Sequence, residues 1–511
     1  MLRVVILVEI ALIALAGLLH GQSTPYPAAM MTSSGVRIWD FGGQGMGHFK
    51  IGVHIGTGSR MEEELHHTGL AHFVEHCLFK STMERSTSER DSAERERGID
   101  HNGWTGPDST FYWFRGPPTQ AEWMVGQVGD MMARPRFDPT DVKQEVNVVI
   151  DEIRLRNPQD IKDTLVEGLL YRGHPLARAV GGDRDHIRTF DADDVRAFHR
   201  THYRAENMIV AFRGSGSRED LLQWIEAAFK DVRTGGTMKP GVVQPRAWSG
   251  ERLLTGLSMA QGTLITGYHI RKRDPRTLAA LWILESAIPH RLFKEIRTKR
   301  ALAYDGGSAD VVARVNAWRL ELRIQAGSRE PIEEIRRIFA QTLDQMAHLD
   351  DEEFQTTRRN VIRQIRGSKL DDVVGKTWQL MLTGSSPPDP IRELKALTVD
   401  DVREVAEREF RSDHQFVLTN DLAALTATGI PPWIPIIGTL LVVLLVLDAF
   451  FGFRYARRIV RKPTQYVRCG LSRAEERREE RRERRDRRHA VDKLESEIQG
   501  WYDRQEHEET P

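Results

Sequence analysis

Along the chain, short apolar runs at Phe49 to Ile55, Thr110 to Phe114, Met208 to Phe212 and Leu264 to Ile270 alternate with longer stretches whose apolar residues recur at helical spacing. That mixture predicts an α+β fold. At both ends the alternation gives way to continuous apolar segments. The first, Val4 to Leu19, follows Arg3 and offers Ala14-Leu15-Ala16 as a small-residue cleavage site, so residues 1–22 read as a secretory signal or signal anchor. The second, Trp433 to Phe453, has about the twenty residues that cross a hydrocarbon core. Arg454, Arg457, Arg458, Arg461 and Lys462 follow it at once. Basic flanks stay inside, which predicts a single-pass membrane protein with a transmembrane helix at 433–453, a cytoplasmic tail at 454–511 and everything between the two apolar segments outside.

Between those ends the pattern repeats at a shift of about two hundred residues. Phe137-Asp138 through Val149-Ile150-Asp151-Glu152-Ile153 matches Leu349-Asp350 through Val361-Ile362-Arg363-Gln364-Ile365 without gaps. Later, Asp193-Asp194-Val195-Arg196 with Tyr203-Arg204 matches Asp400-Asp401-Val402-Arg403 with Phe410-Arg411. Duplication accounts for both, and it places one domain at 25–232, a Gly/Pro-containing linker at 233–249 and a second, homologous domain at 250–422. In the tail, Arg473 to Arg488 is almost wholly Arg and Glu, which reads as a solvated helix. After it, Val491, Leu494, Ile498 and Trp501 share one helical face, a stripe that could dock a partner.

Charge narrows the function classes. With 73 basic and 73 acidic residues the formal net charge is +0, so no basic field argues for nucleic acid. The only cysteines, Cys77 and Cys469, lie in unlike regions and support neither a disulfide framework nor a thiolate metal site. A metal here must be held by histidine and carboxylate.

Such a set exists. His72-Phe73-Val74-Glu75-His76 puts two histidines four apart, on one face of a helix, where they can grip one ion. Glu75 borders the same position and can act on water there. Two imidazoles and one carboxylate leave zinc an open position and lower the pKa of its water to about 7. The third ligand is expected at Glu152, seven residues and two helical turns after Glu145. The repeat provides an internal control: the positions equivalent to Glu145 and Glu152 are Thr357 and Gln364, and the second half has no H-x-x-E-H. Both carboxylates belong to the half that has the histidines.

In these residues the chain resembles the pitrilysin/insulinase family of zinc peptidases, the inverzincins, and within it the bacterial members similar to mitochondrial processing peptidase, over most of residues 35–422. The resemblance implies one zinc per chain, with His72, His76 and Glu152 as ligands, Glu75 as general base and Glu145 as a carboxylate behind the ligands. Gly98-Ile99-Asp100-His101-Asn102-Gly103-Trp104-Thr105 looks like the family's Gly/Asn loop and makes Asn102 a contact to the substrate backbone. Arg297-Thr298-Lys299-Arg300-Ala301-Leu302-Ala303-Tyr304 resembles its Arg/Tyr pair, with Tyr304 a donor to the oxyanion and Arg297 a substrate positioner. Trp104, Gly106-Pro107, Cys77 and Ser81 depart from the usual pattern and bear on substrate preference rather than on the ligands.

The implied fold is two homologous α+β domains closing like a clamshell on a peptide or unfolded protein segment. The peptide would add as a strand to a sheet edge, expected at Thr110 to Phe114. The implied activity is zinc-dependent endopeptidase, and a homo- or heterodimer with a related subunit fits the resemblance. The rival reading, a catalytically inactive scaffold or partner subunit of the same fold, expects a missing ligand, and this chain keeps all three.

Overall fold

Period-two alternation becomes two sheets in the computed structural model, which describes residues 28–43, 45–62, 67–155, 158–235, 248–254, 262–367 and 390–420. The first sheet has six strands: β1 (Ala28–Met31), β2 (Arg37–Asp40), β3 (Phe49–Ile55), β4 (Asp100–Thr105), β5 (Thr110–Gly116) and β6 (Met208–Gly214), in the order β1-β2-β6-β3-β5-β4. The second has five: β7 (Gly250–Leu253), β8 (Gly262–Ile270), β9 (Ser308–Arg314), β10 (Ala317–Ala326) and β11 (Gln415–Thr419), in the order β7-β11-β8-β10-β9. In each sheet one parallel pair, β2 with β6 or β7 with β11, adjoins three antiparallel strands. The second sheet thus repeats the first without β1, and all four predicted strand runs fall on strands.

The repeat extends to hydrogen bonds. Helix α1 (Leu70–Leu78) carries the histidine motif, and α2 (Pro139–Arg154) carries Glu145 and Glu152; α3 (Pro158–Leu170) and α4 (Ala192–His202) complete what is needed of the first half. Arg196 of α4 donates to the Phe137 carbonyl just before α2, at 2.7 Å. In the second half, Arg403 on α6 (Val399–Glu409) donates to the Leu349 carbonyl just before α5 (Asp351–Gly367), at 2.6 and 2.9 Å. Both α4 and α6 begin with a capping box, closed by Asp191 with Asp194 and by Thr398 with Asp401. The gapless match read along the sequence is therefore a conserved helix-to-helix clamp within one chain.

Each half has its own apolar core. Phe49, Ile51, Val53, Tyr112 and Phe114 meet Phe73, Val74 and Leu78 in the first, and Leu320, Leu322 and Ile324 meet Leu281, Leu284 and Ile288 in the second. A third cluster joins them: Val166 and Leu170 of α3, with Tyr171 and Leu176, pack on Ile265, Ala317, Phe416 and Leu418 of the second sheet. Beside it lies an ionic seam. Buried Arg319 bonds Glu321 at 2.8 Å and Glu167 of α3 at 3.0 Å, and Arg323 pairs with Glu321 and with Asp163 of α3. The β9–β10 turn is clasped as well, since Val315 donates to Asp108 at 2.8 Å and accepts from Arg60 at 2.7 Å. Helix α3 belongs to the first half in sequence and is held by the second.

Three expectations are corrected. Among the described residues no helix is long and apolar enough to cross a membrane. The expected transmembrane helix at 433–453, the signal at 1–22 and the charged tail at 454–511 lie outside the described residues, so the fold is stated as two α+β domains, and neither a membrane partner nor an extracytoplasmic, membrane-anchored localisation is carried further. Of the residues expected to form a Gly/Asn loop, Asp100–Thr105 are instead an edge strand, β4. Thr110 to Phe114 is not an edge: β5 is covered by β3 on one side and β4 on the other. Aromatic residues at four of the positions from Phe111 to Phe114 suit a buried inner strand, while Asp100, Asn102 and Gly103 suit an edge.

Candidate active site

Helix α1 is short and mostly buried, with Leu70, Ala71, Phe73, Val74, Cys77 and Leu78 turned to the core. That leaves His72 and His76 on the remaining face, their Nε2 atoms 3.3 Å apart. Glu152 reaches the same point from α2, 3.0 Å from Nε2 of His76 and 3.6 Å from Nε2 of His72. Ligand atoms of all three residues lie within 4.8 Å of one another. Two imidazoles and a carboxylate converging this closely are the donor set zinc takes when one position stays open, so the residues fit the metal.

The surroundings favour a cation. Glu145, two turns back along the same face of α2, is buried and accepts from Nδ1 of His76 at 3.1 Å, while Lys80 meets its other oxygen at 2.5 Å. Burial opposes the charged form of His76, yet its bonds to Glu145 and Glu152 outweigh this and hold its pKa up at about 9. Burial likewise works against the Glu145 carboxylate, but His76 and Lys80 prevail and its pKa is lowered.

Glu75 sits on the flank of the trio. Burial raises its pKa to about 7, against a hydrogen bond from Thr105 Oγ1 at 2.6 Å. Edge strand β4 makes this possible: Thr105 faces Glu75, and two residues back Gly103 has no side chain where a Cβ would stand 2.8 Å from Glu75 Oε1. The cleft, about 560 Å³, is lined by His72, Glu75, His76, Glu152, Phe79 and residues 102–105, and on its far side by Asp163, Thr164, Val180 and Gly181.

The first family comparison decides the identity: residues 48–184 match the profile described as Insulinase (Peptidase family M16), and residues 189–361 match that of the peptidase M16 inactive domain. The chain belongs to the insulinase family. The peptidase is 27% identical to an uncharacterised zinc protease of Streptomyces coelicolor over 390 residues, 70% of this chain and 81% of that protein. To one of Mycobacterium leprae it is 30% identical over 268 residues, 51% and 60% of the two chains. A protease from Helicobacter pylori superposes with a TM-score of 0.66 at 18% identity, covering 77% of this chain and 99% of that one, a likeness of fold. Zinc is the cofactor, and the protein is a zinc metalloendopeptidase.

Of the residues singled out from sequence, the peptidase brings His72, His76, Glu152, Glu75, Glu145 and Asn102 to this cleft or directly behind it. It does not bring Arg297 and Tyr304. These pair with each other on the second half, the guanidinium donating to the Tyr304 carbonyl at 2.6 Å and lying 4.3 Å from its ring, with Tyr304 82% exposed. Sequence reasoning missed Thr105, Gly103, Lys80 and the far wall. Period-two spacing of Gly103 and Thr105 on a strand was the available signal for two of them; Asp163 to Gly181 had none.

Proposed function

We propose that the peptidase hydrolyses internal bonds of peptides or unfolded segments in this cleft, with zinc held by His72, His76 and Glu152 and Glu75 as general base. The observation that carries the assignment is the buried Glu75 carboxylate beside the ligand trio, fixed through one oxygen by Thr105. Zinc supplies Lewis-acid polarisation of the scissile carbonyl and acidifies water. Glu75 Oε1, the oxygen Thr105 leaves free to act, takes a proton from the attacking water as the C–O bond forms. It returns that proton to the amine nitrogen as the C–N bond breaks. Glu145 keeps the His76 ring oriented through Nδ1, so that Nε2 faces the ligand point.

Substrate is proposed to add as a strand along β4, whose outer edge runs past the cleft and carries Asn102 as a backbone contact. Main-chain pairing would make recognition tolerant of sequence. Arg297 and Tyr304 keep the roles of positioner and oxyanion donor only in a state in which the second half meets bound substrate. The test uses purified protein, a quenched peptide and metal analysis. Glu75→Gln is expected to retain about one zinc per chain while hydrolysis falls by about a hundred- to ten-thousand-fold. Turnover equal to the parent protein would remove Glu75 from the chemistry.

A further inference from the structure

The first N–H groups of a helix have no partner within it and need an acceptor from outside. In α2, α4 and α6 the residue before the helix supplies one: Asp138, Asp191 and Thr398 each accept from the backbone of the first turn. The metal helix α1 starts differently. Its N-cap is Gly69, which has no side chain to offer and no room for one, since a Cβ there would stand 2.8 Å from Gly182 Cα. Ala71 in the first turn is fully buried, so water does not reach its N–H either. The acceptor comes from nine residues earlier: Oε1 of Glu62, itself buried, takes the Ala71 N–H at 3.0 Å, and the Gly69 N–H also turns to this carboxylate. Ala71 immediately precedes His72.

Glu62 is held in turn by what surrounds it. Arg178 donates to its carbonyl at 2.7 Å, two residues before Val180 and Gly181 in the cleft wall. Two residues before Glu62, the Arg60 N–H donates to the Pro107 carbonyl at 2.9 Å, and its guanidinium reaches Asp108 at 3.1 Å and Val315 of the second half at 2.7 Å. We propose that Glu62 is a positioning residue for the metal: its accepting oxygen fixes the first turn of α1 and so sets where the imidazole of His72 stands. The helix has nine residues, with His72 in its first turn and Glu75 and His76 in its second, so a displaced start moves both histidines and the base. Glu145 and Glu152, on α2, stay behind, and the match between the two helices is lost. Because Arg60 ties the same segment to Val315, α1 is referenced to the second half as well as to its own sheet. The role rests on the proposed ligand set.

The experiment contrasts two substitutions in the full-length protein. Glu62→Gln gives up the charge and keeps an accepting oxygen at the same reach; Glu62→Asp keeps the charge and withdraws the oxygen by one carbon–carbon bond, about 1.5 Å. Four quantities are read: zinc affinity by competition with a chelator, the visible bands of cobalt(II) bound in place of zinc, kcat and KM on a quenched peptide, and urea melts of the metal-free protein. Glu62→Asp is expected to bind zinc about ten-fold more weakly, to shift the cobalt bands and to lose about ten-fold in kcat at unchanged KM. Glu62→Gln is expected to stay within about three-fold of the parent in affinity and kcat, with parent cobalt bands. A melt lowered in Glu62→Asp while zinc affinity, cobalt bands and kcat stay at the parent's values would make the contact structural only and overturn the role. So would Glu62→Gln losing zinc affinity ten-fold, which also decides the matter should the aspartate variant fail to fold. His72→Ala runs alongside: zinc held there as tightly as in the parent would sink the ligand set and the role of Glu62 with it, whereas parent-like behaviour of Glu62→Asp in a protein that loses zinc on His72→Ala sinks the role of Glu62 alone.

Discussion

At the scale of single residues, the site is built by what is missing as much as by what is present. Gly103 makes room for the Glu75 carboxylate, with Phe79 and the Phe111 carbonyl closing the same space at 3.0 and 3.1 Å from a would-be Cβ. Gly103→Ala must therefore move Glu75 or β4, whereas the ligands on the other side of the trio are untouched. The expected outcome is a fall of about ten- to a hundred-fold in kcat with zinc content unchanged, since small misplacements of a reacting group have effects of that order. Zinc lost along with activity would show that the methyl group disturbs the whole of α1. The ligands were legible in the sequence because helix periodicity fixes them: four residues between histidines and seven between glutamates each return to one face. Gly103 was not, because a glycine in a strand says only that something comes close, and what comes close here is 28 residues distant in the chain.

Elements raise a different question, namely what aims α1. Its N-cap, Gly69, has φ +100° and is packed against Gly182, itself at φ +77°, where an added Cβ would meet Gly69 Cα and the Thr68 carbonyl at 2.4 Å. The loop that walls the cleft with Val180 and Gly181 is thus in backbone contact with the start of the metal helix. Gly182→Ala is expected to lower stability by about 2 kcal/mol or more and to weaken zinc binding, because the helix start must yield. Gly173→Ala serves as the comparison: φ there is +82°, but nothing lies within 4 Å of the added methyl, so only the left-handed strain of about 1 kcal/mol applies and zinc binding stays. Denaturant melts and zinc titration on both variants check this, and equal effects on metal affinity would dismiss the contact. Element types and the duplication were readable from alternation and from matched stretches such as those at Phe137 and Leu349. Strand order was not: the β2–β6 and β7–β11 parallel pairs bring together residues about 170 apart, and only the polar composition of β4 beside the aromatic run of β5 pointed to which of the two is the edge.

For the molecule as a whole, the two halves share titratable groups that folding has taken out of water. His54 in the first sheet, His199 and His202 on α4, and His269 in the second sheet are all buried deeply enough that their pKa values fall from the usual 6.5 to about 3 for His54 and about 4 for the others, with burial the leading cause in each. A folded value below the unfolded one means that the unfolded chain binds the extra proton. The stability each neutral histidine gives is complete above pH about 6.5 and drains away as pH falls toward about 4, at about 1.4 kcal/mol for each pH unit between. Buried Glu62, raised by burial to about 8, titrates in the opposite sense, so the net slope of the parent protein is a sum and a single histidine is best isolated by difference. His199 is suited to that, since its Nε2 bonds the Met132 carbonyl at 3.1 Å and a glutamine amide can donate in its place without titrating. Between pH 7 and pH 5 the parent protein is expected to lose about 2 kcal/mol more unfolding free energy than His199→Gln. Urea denaturation at the two pH values measures it; parallel losses would mean that His199 takes up its proton within the fold, and that the core of the first half admits charge.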